Sequence, residues 1–147
     1  MNVRKFLTKK QKENILNAIH AAEKLTSGEI RVHLEAKCPG DALDRAKEVF
    51  QQLKMHETHL HNGALIYLAI ADRKLAIFGD EGINEVVAED YWENVKDEML
   101  KRFKDGAFAE GLCVGIGLIG EKLKEHFPYQ DDDINELPDD ISINDPE

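Results

Sequence analysis

Cysteine is scarce, with two among 147 residues, and Cys38 and Cys113 form no C-x-x-C pair. Two thiols are too few for a disulfide framework, which fits a reducing compartment. Tryptophan occurs once and proline four times, and no Pro/Ser-rich linker or internal repeat divides the chain. Long apolar runs are missing as well. The most apolar windows, Gly63–Ala71 and Gly111–Gly120, are each about half of the roughly 20 residues a bilayer-spanning helix needs. No apolar stretch of signal-peptide length follows the basic start, Met1–Lys12. A cytoplasmic protein without a membrane span is expected. Basic charge is in short supply: 19 Lys+Arg stand against 29 Asp+Glu, leaving −10. Such a balance repels phosphate backbones and argues against a nucleic-acid partner.

The apolar and charged fractions, 42% and 33%, describe a globular chain rather than a disordered or fibrous one, and the length suits one domain. The charge is uneven. Residues 1–12 hold five bases and no acid, whereas residues 129–147 hold eight acids and no base. The reading is a single domain over residues 1–128 and an acidic C-terminal tail over 129–147. The tail is a solvated extension that can bind cations weakly or dock back on the domain.

Periodicity supplies the elements. Thr8 followed by Gln11 predicts a capping box and a helix over about 8–25, with Ile15, Ile19 and Ala22 on one face. Ser27-Gly28 stops it. Residues 29–36 then alternate: Ile30, Val32 and Leu34 face one way, and Glu29, Arg31, His33 and Glu35 the other, as in a half-buried strand. Cys38-Pro39-Gly40 breaks the chain, and Asp41 caps an amphipathic helix over 41–54. Ala64–Ala71 is an apolar run of strand length, suited to a central strand covered on both faces. A tight turn at Asp72-Arg73-Lys74 leads into Leu75–Phe78, making a hairpin. A helical stretch over about 83–103, broken near Asp90, and a last helix over about 107–126 complete the domain. The order α-β-α-β-β-α-α gives an α/β fold: a three-layer α/β/α sandwich with a short mixed, mostly parallel sheet covered by helices on both faces.

That topology gathers chemistry at one edge. Parallel strands begin at the same rim of the sheet, and the reversed strand of the hairpin ends there. Ser27, Gly28 and Glu29 would meet His61, Asn62 and Gly63, and Asp80, Glu81 and Gly82. Asp105 would join if the turn at 104–106 also returns. Carboxylates in glycine-bearing loops suit a hard divalent cation, Ca²⁺ or Mg²⁺, with Glu29, Asp80, Glu81 and Asp105 as candidate ligands. The bland alternative is that Asp80 caps the following helix and Glu29 is a solvated strand residue; both readings are open at this point.

Three decoys carry less. Gly115-x-Gly117-x-x-Gly120 matches a dinucleotide fingerprint, but it lies inside a helical stretch without a preceding strand, so close packing on the sheet is expected and no nucleotide. His56-Glu57-Thr58-His59 lacks one residue of a zinc-protease motif and reads as a polar loop. Asp131, Asp133 and Asn135 fall on EF-hand positions, but Glu136 and Ser142 occupy places that require Gly and Glu.

Several segments together carry a family resemblance. They are Thr26-Ser27-Gly28-Glu29-Ile30-Arg31-Val32, Asn62-Gly63-Ala64-Leu65-Ile66-Tyr67-Leu68-Ala69, and Asp72-Arg73-Lys74-Leu75-Ala76-Ile77-Phe78-Gly79-Asp80-Glu81-Gly82-Ile83-Asn84. With Phe103, Gly106 and Gly111 and the ending Phe127-Pro128-Tyr129, the sequence resembles the TPM domain family in its stand-alone bacterial form. The resemblance implies an α/β/α sandwich and divalent-cation binding, typically Ca²⁺, at an acidic surface pocket. It also brings acid phosphatase activity, attributed to a plant thylakoid member. Many relatives have an aromatic residue where this chain has Asp80, which makes the loop more acidic here. The resulting expectation is a monomeric, non-catalytic cation-binding module with a regulatory or partner-binding role and an unidentified protein partner. The alternative is a metal-dependent acid phosphatase acting on phosphomonoesters, with Asp80 or a metal-bound hydroxide as nucleophile.

Overall fold

The protein is described by a computed structural model covering residues 2–129 and 141–144. A four-stranded sheet forms the middle layer, with β1 at Glu29–Glu35, β2 at Gly63–Ala69, β3 at Lys74–Gly79 and β4 at Ile141–Asn144. The order is β3-β2-β1-β4. β1 is parallel to both neighbours and β3 is antiparallel to β2. The α/β/α sandwich with a mostly parallel sheet is therefore present.

Helices α1 (Lys9–Glu23), α4 (Tyr91–Phe103) and α5 (Phe108–His126) pack on one face, around Ile30, Val32, Leu34 and Ile66. Helix α2 (Ala42–Gln52) covers the other face, over Leu65, Tyr67 and Ala76. The short α3 spans Glu81–Asn84. The capping box is complete: Gln11 N–H donates to Thr8 Oγ1 at 3.1 Å, and Thr8 N–H to Gln11 Oε1 at 2.8 Å. The glycines of the last helix sit inside α5, but they admit neighbouring helices rather than the sheet. A Cβ on Gly115 would stand 2.5 Å from Met99 Sδ in α4, and one on Gly120 would stand 2.7 Å from Ala22 Cβ in α1.

Two features depart from expectation. All seven residues of β1 are buried; Arg45 of α2, Tyr67 of β2 and Ser142 and Asn144 of β4 close over His33 and Glu35. Part of the stretch past residue 128 docks back on the domain instead of extending into solvent. Ile141–Asn144, within the acidic stretch, runs beside β1 in register from Val32↔Ile141 to Glu35↔Asn144. Ile141 joins the core. The EF-hand-like positions at 131–135 lie outside the described residues. Among the described residues no helix is long and apolar enough to cross a membrane.

Candidate functional site

The rim where β1 and β2 begin is tied together by backbone hydrogen bonds. Glu29 N–H donates to Asn62 O at 3.3 Å, Asp80 N–H to Gly63 O at 3.0 Å, and Gly82 N–H to His61 O at 2.9 Å. Topology thus brings the turns at 27–29, 61–63 and 80–82 together. Gly82 is the tightest point: a Cβ there would stand 2.3 Å from Leu60 O and 2.6 Å from His61 O. His61 itself sits in the left-handed region, with φ of 50°.

The carboxylates do not all follow their backbones. Asp80 is the N-cap of α3, its Oδ1 accepting from Glu81 N–H at 2.8 Å. Its Oδ2 is buried without a hydrogen-bond partner. His61 Nδ1 lies 3.5 Å from that oxygen. Glu81 is exposed on the first turn of α3. Glu29 is buried on the sheet face shared with Arg31, His33 and Glu35. Its strand position pairs with Gly63, and Asp80 sits on the other side of Gly63. Glu29 and Asp80 are therefore two strand spacings apart, about 10 Å. Over Gly63 the gap is occupied: Met55 O is 3.3 Å from where a Gly63 Cβ would be.

Asp105 is not at this rim. Ser27 N–H donates to Phe127 O at 2.9 Å, which fixes the C-terminal end of α5 here. Asp105 precedes the N-terminal end of that helix, and 19 residues at 1.5 Å each place it about 28 Å away. Among the described residues, no three His, Cys, Asp or Glu side chains are placed to hold a metal.

What the loops here do offer is side-chain oxygen without a hydrogen-bond partner. Besides Asp80 Oδ2, the side-chain oxygens Asn62 Oδ1 and Thr58 Oγ1 are buried and lack hydrogen-bond partners. Asn62 is 1% exposed and Thr58 2%, and an unpartnered polar group so buried costs about 1–3 kcal/mol. Asn62 and Thr58 carry no charge, so a search for acidic residues passes over them. The available signal was the Asn62-Gly63 turn beside His61.

A second polar cluster lies at the opposite end of β1. Glu35 Oε2 accepts from Arg45 Nε at 2.8 Å and from the Tyr67 hydroxyl. Glu35 Oε1 accepts from Arg45 Nη2 at 2.9 Å, and from His33 Nε2 and Asn144 Nδ2 at 3.2 Å each. Because a carboxylate only accepts, His33 carries its proton on Nε2, and Nδ1 then accepts from the Ser142 hydroxyl at 2.8 Å. Burial pushes the Glu35 carboxyl up, but these hydrogen bonds outweigh it and hold it at about 2. Burial likewise lowers the His33 ring's pKa, keeping it neutral, and raises that of the Tyr67 phenol, with help from Glu35. Every lone pair of Glu35 is engaged, so this cluster fastens α2, β2 and β4 to β1 and offers nothing to a ligand.

The TPM domain family profile matches residues 2–122. The NMR structure of the BA42 protein from the psychrophilic bacterium Bizionia argentinensis is 48% identical, with a TM-score of 0.89 over 95% of this chain and 97% of that one. The N-terminal domain of a P. gingivalis protein has a TM-score of 0.69 at 20% identity, over 84% and 80% of the two chains. The N-terminal domain of the cg2496 protein from Corynebacterium glutamicum has a TM-score of 0.60 at 16% identity, over 80% and 74%; these last two bear on fold alone. None of the curated proteins compared matches the chain.

Proposed function

This chain belongs to the TPM domain family, and from that premise we propose that it is a non-catalytic divalent-cation module. Ca²⁺ or Mg²⁺ would be held at the rim by Asp80 with Asn62 and Thr58, and a protein partner would read the loops so fixed. The supporting observation is that three buried side-chain oxygens, on Asp80, Asn62 and Thr58, have no hydrogen-bond partner, with only His61 Nδ1, 3.5 Å from Asp80 Oδ2, near any of them as an ion-pair partner among the described residues. Ca²⁺ takes six to eight oxygens from carboxylates, amides, hydroxyls and carbonyls, and this donor set is of that kind. The ion's contribution is charge: it neutralises Asp80 and fills the acceptor sites that water or protein donors leave open. Glu81, exposed on α3, can add a second carboxylate. Glu29 and Asp105 are displaced from the center of the reading, the first by the Met55 carbonyl and the second by the length of α5.

The phosphatase alternative is weaker. A phosphoryl group in transfer needs cationic donors around it, and the one ion-pair partner of Asp80 among the described residues is His61. Both cysteines are free thiols, which supports a reducing, cytoplasmic setting, and we take the protein to be a monomer.

The test is a Ca²⁺ titration of the chelator-treated chain followed by amide chemical shifts, then repeated with Mg²⁺. Saturable changes are expected at Thr58, Asn62 and Asp80–Gly82. They should disappear in Asp80→Asn and persist in Asp105→Asn. Absence of saturation, or equal shifts in Asp80→Asn, overturns the reading. Turnover of a phosphomonoester that vanishes in Asp80→Asn would put the phosphatase in its place.

A further inference from the structure

β3 is an edge strand of the described sheet, and water-sized space reaches its outer side. Asp80 N–H donates to Gly63 O, which sets the parity of the ladder. Lys74, Ala76 and Phe78 turn their backbone groups towards β2, and Leu75, Ile77 and Gly79 turn theirs outward. The Gly79 carbonyl is taken by Asn84 Nδ2 at 2.8 Å. The outward N–H and C=O of Leu75 and Ile77 have no partner among the described residues.

These groups form the floor of a groove. It encloses about 600 Å³, with Asp41, Leu43 and Lys47 of the α2 side on one wall and Glu89, Trp92 and Lys96 of the α4 side on the other. Its end is rigid. Trp92 Nε1 donates to Asn84 Oδ1 at 2.8 Å, and the indole lies so close over Gly79 that a Cβ there would be 2.2 Å from it. On the opposite wall Leu43 is 44% exposed, and Lys47 Nζ stands 6.0 Å above the Phe78 ring.

We propose that this groove takes an extended segment of another protein as a fifth strand beside β3, with apolar side chains alternating with basic ones. Directional, unpaired backbone groups call for an extended backbone, as in strand addition generally. The walls decide between a peptide and a second copy. A helix with its side chains is about 10–12 Å across and strands are about 4.8 Å apart, so a helix seated over an edge strand overhangs it by about one strand. One added strand fits under that overhang, whereas a second sheet carrying helices on both faces would collide with it. Charge selects the side chains. The lining carries Asp41, Glu89 and Glu93 against Lys47 and Lys96; among the described residues Glu89 has no ion pair, and Glu93 is paired only with Lys96, at 3.6 Å. A cationic segment finds an unpaired carboxylate on this edge. Leu43 offers the apolar contact.

The full-length, isotope-labelled protein is titrated with the N-acetylated, C-amidated hexapeptide Lys-Val-Lys-Val-Lys-Val. The amide protons of Leu75 and Ile77 should shift downfield with saturation, and their hydrogen exchange should slow. The same peptide N-methylated at its four central residues keeps side chains and charge but cannot complete the ladder, and it should bind at least about tenfold more weakly. Glu89→Lys, on the exposed rim, should weaken the unmodified peptide several-fold. Equal binding of the two peptides overturns the proposal. So do shifts confined to acidic surface residues with Leu75 and Ile77 unmoved. Concentration-dependent protection of Leu75 and Ile77 without peptide would identify a second copy as the occupant and overturn it too.

Discussion

Replacing Glu35 by Gln tests the energetics of the buried cluster. The carboxylate is only 4% exposed and accepts from Arg45, Tyr67, His33 and Asn144. Glutamine keeps the shape but removes the charge and turns an NH₂ group towards donors. The magnitude follows from linkage. The carboxyl titrates near 4.5 in the unfolded chain and at about 2 in the folded one, which corresponds to about 3 kcal/mol of stability. Because the folded value is the lower one, that stability is complete above about pH 4.5 and is lost as pH falls towards 2. Glu35→Gln should therefore be about 3 kcal/mol less stable than wild type at neutral pH, and the gap should narrow by a similar amount on acidification. Urea unfolding followed by circular dichroism and by Trp92 fluorescence measures it. Glu48→Gln is the control: Glu48 also pairs with Arg45, at 3.2 Å, but is 65% exposed, so less than about 1 kcal/mol is expected. A gap between wild type and Glu35→Gln that stays flat from pH 6 to about 2 refutes the linkage argument. Equal losses in the two variants refute the claim that burial makes the difference.

Other consequences are simpler to state. Ile141→Ala should cost about 2–4 kcal/mol if β4 completes the sheet, and close to nothing if residues past 128 are only a solvated tail; chemical denaturation decides. Gly82→Ala should lose about 1–3 kcal/mol or fail to fold, since its Cβ would meet two carbonyl oxygens that cannot move apart without opening the rim. Thr8→Ala removes one half of the capping box and should cost about 1 kcal/mol. Burial, with Glu125 contributing, pushes the Tyr91 phenol up to about 12. The raised folded value means that stability falls as pH climbs from about 10 towards 12, and Tyr91→Phe should flatten that limb.

Elements whose evidence is local were legible in the sequence. The Thr8–Gln11 box, the alternation of residues 29–36 and the apolar run of β2 each state their own conformation. The hidden parts depend on partners distant in the chain. Nothing near Glu35 announces that Arg45, Tyr67 and Asn144 will close on it, so a strand polar on one side read as half-solvated. Ile141-Ser-Ile-Asn is a four-residue alternation inside a run of acids, where charge masks the pattern. At the rim, strand direction joins three turns, while strand parity and helix length decide which carboxylates stay there. Parity sends Glu29 under the sheet. An α4–α5 pair that ends at the rim must turn at the far end, taking Asp105 with it.

The two ends of β1 then differ in kind, although both are rich in buried polar atoms. At the Glu35 end, one carboxylate faces five donor contacts from four side chains, and the outcome is a saturated, low-energy lattice that welds the edge strand to the helix layer. At the Asp80 end, Asp80 Oδ2, Asn62 Oδ1 and Thr58 Oγ1 are left without a hydrogen-bond partner, and Gly82 lets the carbonyls of Leu60 and His61 approach α3 closely. A fold that saturates one carboxylate so fully has not run short of donors in general. The proposed cation would fill the acceptor sites left over on Asp80, Asn62 and Thr58, where a further hydrogen-bond acceptor could not.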